Sequence, residues 1–321
     1  VEEGRDAQRN VGRRMSAVRL QTELKEALDA CEPPALSVIS DNFQVPAPAP
    51  AIRREIDEIL AGCGKLSADA VGRLKERAAR TGEDLFSAAR RLGLATQADL
   101  EIARAIRDGV LQDDPSAFGL GAELAVIRRP NSATAEEYRG LRARLVTTQP
   151  MTKLRSVCVI PAGADVQAEI AAANIAVAFA QIGKRVLLID GDLRRPRLGR
   201  LMAAAVPQRL CDAVAIEEAQ RATVVEGVFL LAGREPSPRP QEFLASARFS
   251  AMIQRARAEF DVVLALTAPF GPAADGQFIW AEAKSALVAA RRDHTRADEL
   301  RGLQATLRQV GAEIIGSIIL A

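Results

Sequence analysis

Six short runs of this 321-residue chain are apolar, interrupted only by Gly316 and Ser317 in the last, and they constrain its fold more than any other feature. They fall at 157–160, 186–189, 228–231, 262–266, 286–289 and 314–320, with helical spacing between most of them. A strand with one wet face alternates apolar and polar residues, whereas a strand covered on both faces does not. Uniformly apolar strands alternating with helices predict an α/β fold: a mostly parallel sheet flanked by helices, over residues 123–321.

The rest of the chain reads differently. Residues 1–50 combine a charged stretch with five prolines between Glu32 and Pro50, which predicts a flexible segment and an extended linker. From 51 to 110 the spacing of Ile56, Ile59, Leu60, Leu74, Leu85 and Leu92 is helical. Ser67 and Thr96 are placed as N-caps there, and Gly82 and Gly93 as turns. This predicts a small helical bundle ahead of the sheet. Its pattern resembles the N-terminal helical module of type II secretion ATPases, which implies an interaction module; an unspecialised bundle is the other reading.

Composition excludes several function classes. With 43 basic and 41 acidic residues there is no net field to drive nucleic-acid binding. An aromatic content of 4% leaves little for base stacking. Cys31, Cys63, Cys158 and Cys211 form no CxxC pair and His294 is the single histidine, so no metal site is expected. The polar start of the chain is no secretory signal, and its most apolar helix, near 170–182, contains Asn174 and is too short to span a bilayer. A cytoplasmic chain without direct membrane insertion is expected, with docking at the inner membrane through a partner.

The stretch PAGADVQAEIAAAN follows a strand and opens a helix, the layout of a phosphate-binding loop. Such a loop needs glycines for close backbone approach, a lysine for phosphate charge and a Ser or Thr on magnesium. Gly163 is kept near its start, but Ala168 occupies the lysine position and Glu169 the hydroxyl position. A helix N-terminus favours anions, and added carboxylates oppose that preference. Asp190 and Asp192 close the second apolar run, at a strand end where α/β sites gather. The same acids could instead solvate the strand end and pair with Arg194, Arg195 or Arg197. In the fourth run Leu266 stands where a hydrolysing member of this class would carry an acid.

Together these segments resemble the cytoplasmic domain of bacterial tyrosine kinases, a group related to the MinD/ParA deviant-Walker ATPases. EEYRGLRARL is similar to the family's E-x-x-R-x-x-R helix, matched by Glu136, Arg139 and Arg142; read from the residues alone, Thr134 and Glu137 form a capping box that starts it, and its face is either an exposed one with i,i+3 salt bridges or an interface. LLIDGDLRRPRL is similar to its second Walker motif, and FDVVLALTAPF to its later core strand. The resemblance implies a P-loop fold, a subunit interface on the Glu136 helix, and a role in exopolysaccharide or capsule production. It also implies a membrane polysaccharide copolymerase as partner, with self-association or pairing with an active relative. The departures at Ala168, Glu169 and Leu266, and a single tyrosine at Tyr138, lead to the expectation of a pseudokinase taking neither ATP nor magnesium. The alternative is an atypical nucleotide-dependent autokinase or ATPase, using Asp190 and Asp192 with a substitute cation from Lys153, Arg155 or Lys184.

Overall fold

The structure, a computed structural model, describes residues 54–212, 220–271 and 274–320. The expected flexible segment and linker at 1–50 lie outside these residues.

Among the described residues four helices come first: α1 (Ile56–Gly62), α2 (Ala68–Thr81), α3 (Leu85–Arg91) and α4 (Gln97–Arg107). The Ser67 hydroxyl accepts from the Ala70 amide, and Thr96 and Asp99 form a reciprocal capping box at α4. Gly82 ends α2 with φ at 72°, a left-handed conformation that favours glycine. A turn of 3-10 helix (Pro115–Gly119) leads to α5 (Ala125–Arg128), α6 (Ala133–Thr148) and α7 (Met151–Leu154). The sheet region follows as β1 (Val157–Pro161), α8 (Ala168–Ala180), β2 (Val186–Gly191), α9 (Leu198–Leu201), β3 (Gln220–Ala222) and β4 (Val228–Leu231). It continues with α10 (Pro240–Leu244), α11 (Ala247–Glu259), β5 (Val262–Thr267), α12 (Asp275–Ala283), β6 (Ser285–Arg291), α13 (Ala297–Gln309) and β7 (Glu313–Leu320).

All six apolar runs are strands. The sheet order is β3-β4-β2-β5-β1-β6-β7, parallel throughout except that β3 runs antiparallel to β4. Successive residues of each central strand serve opposite layers. Val157 and Val159 pack toward α6 and α8, while Cys158 and Ile160 pack toward α11, α12 and α13. Full burial of each such aliphatic side chain contributes about 1.5–3 kcal/mol, which is why β1, β2, β4 and β5 carry no polar residue until the site is reached.

The four-helix unit is joined to the sheet by side chains and backbone alike. Its Leu74, Leu100 and Ile106 belong to the same apolar cluster as Val157 and Ile175. The Gln112 amide donates to the Val224 carbonyl at 2.7 Å, and buried Arg128 donates to the carbonyls of Ala98 and Leu120. Asn174, the polar residue inside apolar α8, is fully buried and ties the preceding segment down. Its carbonyl oxygen accepts from the Val126 amide at 3.1 Å, and its NH2 donates to the Glu123 and Ile170 carbonyls. Among the described residues no helix is long and apolar enough to cross a membrane.

One local expectation is corrected. Thr134 and Glu137 read as a capping box for α6, but Ser132 is the N-cap, its hydroxyl accepting from the Ala135 amide at 3.2 Å. The helix therefore begins one residue before Thr134.

Candidate functional site

The C-terminal ends of β1, β2 and β5 lie side by side, with Asp190 level with Leu266 across the ladder and Leu266 level with Val159. Gly163, Ala168, Glu169, Asp190, Asp192 and Leu266 therefore belong to one edge of the sheet, as a phosphate-loop arrangement requires. Gly191 makes the close strand contact possible, since a Cβ there would meet the Leu266 carbonyl at 2.5 Å. The loop after β1 folds back on itself. The Val166 amide donates to the Gly163 carbonyl at 3.3 Å and the Ala168 amide to the Val166 carbonyl at 2.9 Å. Two N–H groups that a phosphate cradle would aim outward are thus used within the loop.

The side chains complete the closure. Ala168 is fully buried and Leu266 is buried against the same edge. Glu169, at the start of α8, forms a 2.8 Å ion pair with Arg197. Each arginine of the LRRPR stretch finds its own carboxylate: Arg194 with Asp275, Arg195 with Asp192 at 3.6 Å, and Arg197 with Glu169. Asp190 points inward, one oxygen accepting from the Arg197 and Leu198 amides at 2.8 Å each. Its other oxygen has no partner among the described residues. Burial pushes the Asp190 carboxyl up to about 7 despite those two amides, and burial also raises Asp192 against the pull of Arg195. Burial works to raise Asp275 too, but hydrogen bonds from Arg194 and Gln241 prevail and hold it below the ordinary carboxylate value. What remains between Pro161, Asp192, Arg195 and Thr267 is a cavity of about 20 Å³. That is room for about one water. With no lysine, no hydroxyl at the start of α8 and an ion pair in their place, these residues do not fit the usual phosphate and magnesium clamp.

Lys153, Arg155 and Lys184 precede β1 and β2, at the opposite end of the strands from the loop. Lys153 is bound there to Glu313 at 2.6 Å. None of them supplies the missing cation. Thr267, kept from the later strand motif, accepts from the Trp280 indole at 3.3 Å.

On α6, Glu136 is exposed and pairs with Arg139. Both arginines of the motif turn inward. Arg139 donates to the Pro130 carbonyl at 2.6 Å and to the Gln181 side chain, and Arg142 donates to the Ala178 carbonyl at 3.0 Å. They hold α6 against the last turn of α8. Tyr138 is buried between them, and burial raises its phenol to about 12. Asp275, Trp280, Asn174 and Gly191 were not singled out as site-shaping residues by the sequence, apart from Asn174 as a polar break in α8. Asp275 had one signal in the sequence, an acid at a helix start after the GP pair of 271–272.

No protein-family model matches the chain. The candidate tyrosine-protein kinase CapB of Staphylococcus aureus is 22% identical over 200 residues, which is 61% of this chain and 88% of CapB. The tyrosine-protein kinase YwqD of Bacillus subtilis is 27% identical over 59% of this chain and 82% of its own. The solved kinase domain of the Escherichia coli tyrosine kinase ETK superposes with a TM-score of 0.57 at 23% identity, covering 61% of this chain and 78% of that domain. These matches correct the expectation that neither ATP nor magnesium has a place here. The relatives are kinases by name, and phosphoryl transfer uses a nucleotide with its magnesium, so both are ligands to which this family points. The correction leaves the missing clamp groups as they are. In sequence and in fold, the chain is a homologue of the bacterial tyrosine-protein kinases.

Proposed function

We propose that this chain is a cytoplasmic regulator of exopolysaccharide, capsule or adhesive-polysaccharide production that does not itself transfer phosphoryl groups. It acts by binding the cytoplasmic tail of a membrane polysaccharide copolymerase. The observation that carries the non-catalytic reading is the Glu169–Arg197 ion pair, standing where a working loop holds lysine and a hydroxyl. The buried Tyr138 adds support, since the one tyrosine of the chain is poorly placed as an acceptor. The polysaccharide role rests on the resemblance of the motifs over 123–321. In this reading α6, with Glu136 and Glu137 exposed, contacts a second copy or an active relative. Residues 51–110 and the proline-rich segment before them supply a second docking surface.

The test is genetic and quantitative. Deletion of the gene is expected to change polymer amount or chain length, and Asp190→Ala expressed at the wild-type level is expected to restore both. An Asp190→Ala strain that reproduces the deletion, with protein level unchanged, would overturn the non-catalytic reading.

A further inference from the structure

A cleft lies away from the loop, between the four-helix unit and the turn that leads from α5 into α6. It measures about 260 Å³, against about 20 Å³ at the loop. That is near the lower end of small-ligand sites. We propose that this cleft binds a small organic anion, a phosphate or carboxylate carried on a flat apolar body.

Its walls supply both halves of such a ligand's chemistry. Phe86, Val126 and Ile127 give an apolar surface, and Arg104 lies over the Phe86 ring at 5.9 Å. Three guanidinium groups and two carboxylates line the space. Asp108 is paired with Arg107 at 3.2 Å, whereas Glu101 accepts from the neutral Gln97 amide at 3.1 Å and its charge acts on Arg128. Arg128 is 8% exposed and holds two backbone carbonyls, so its charge is fixed behind the wall. Arg104 and Arg129 are exposed and have no carboxylate partner among the described residues. The N-terminus of the 16-residue α6 opens on the same space through Asn131 and Ser132. Two exposed guanidiniums without an ion pair, beside a helix start, favour an anion. The ring and the planar guanidinium above it favour a flat body. Because the walls come from both units, an occupant would bridge them. This inference does not depend on the polysaccharide role or on the loop.

The probe is phenyl phosphate, titrated into the full chain by calorimetry and followed by amide chemical shifts. The expected result is saturable one-to-one binding with shifts at Phe86, Arg104, Asn131 and Ser132. Benzyl alcohol, which lacks the charge, and inorganic phosphate, which lacks the ring, should each bind at least about tenfold more weakly. Arg104→Gln and Arg129→Gln should each weaken phenyl phosphate about tenfold at unchanged melting temperature. Arg197→Gln, at the loop, should leave its affinity unchanged. Absence of saturation at millimolar phenyl phosphate would overturn the proposal. So would equal binding of benzyl alcohol, or affinity lost in Arg197→Gln and kept in the two cleft variants.

Discussion

The loop edge of the sheet and the cleft beside the four-helix unit both gather arginines next to the start of a long helix, yet they reach opposite electrostatic states. At the loop, Arg194, Arg195 and Arg197 each face a carboxylate, and the α8 N-terminus carries Glu169. At the cleft Asp108 pairs with Arg107 and Glu101 accepts from Gln97, which leaves Arg104 and Arg129 without an ion pair, while the α6 start is capped by Ser132 and its Glu136 is paired with Arg139. Residue type alone does not make an anion site. The difference is made by which carboxylates the fold brings within reach, and at the loop two of the three arrive from 28 and 81 residues away.

The contrast can be broken most forcefully at Asp190. Its folded carboxyl sits at about 7, above the unfolded value near 4, so between these the folded state holds a proton that the unfolded state does not. Stability from this group is therefore lost as pH rises from about 4 to about 7, by at most about 4 kcal/mol. Asp190→Asn should flatten that slope, with thermal melts diverging from wild type between about pH 4 and 7 and running parallel above it. Curves parallel throughout would show that the carboxyl is ionised without penalty, and that the edge is wetter than described.

Asn174→Ala comes next. Three hydrogen bonds vanish and the Val126 amide and Glu123 carbonyl lose a buried partner, for a loss of about 3 kcal/mol in denaturant unfolding. Because Val126 lines the cleft, the variant should also weaken anion binding there, linking the two regions through one side chain. The smallest effect is expected from Glu169→Gln. Arg197 is half exposed, so breaking its pair should change stability by less than about 1 kcal/mol while adding free positive charge at the loop. The Glu169→Gln chain should then bind phosphate at the loop more tightly than wild type, measured by the same calorimetry. No gain would mean that the collapsed loop backbone, and not the ion pair, excludes the anion.

The strands were legible because burial on both faces leaves no room for polar residues. β3 was not, since Gln220, Arg221 and Ala222 sit on an antiparallel edge where burial does not dictate sequence. The phosphate-loop positions could be assigned from the strand, loop and helix layout, and they lie at one edge of the sheet. Their partners could not, because Asp275 and Trp280 come from a distant helix that no local pattern connects to the loop. On α6 the spacing correctly anticipated the Glu136–Arg139 pair, but it gave no sign that Arg139 and Arg142 would turn to backbone carbonyls. Such contacts depend on the packing of α6 on α8, which only the assembled layers define. The capping misreading at Thr134 has a similar origin: two hydroxyls lay close together, and the one that adopts extended backbone takes the cap.

The most direct test of the account is phosphoryl transfer by the purified chain. Incubated with magnesium and ATP, alone and with a tyrosine-rich peptide, it should show no added phosphate on either by intact mass spectrometry. Phosphate incorporated on tyrosine, and abolished by Asp190→Ala with the fold intact, would contradict the claim that the Glu169–Arg197 pair has replaced the catalytic clamp.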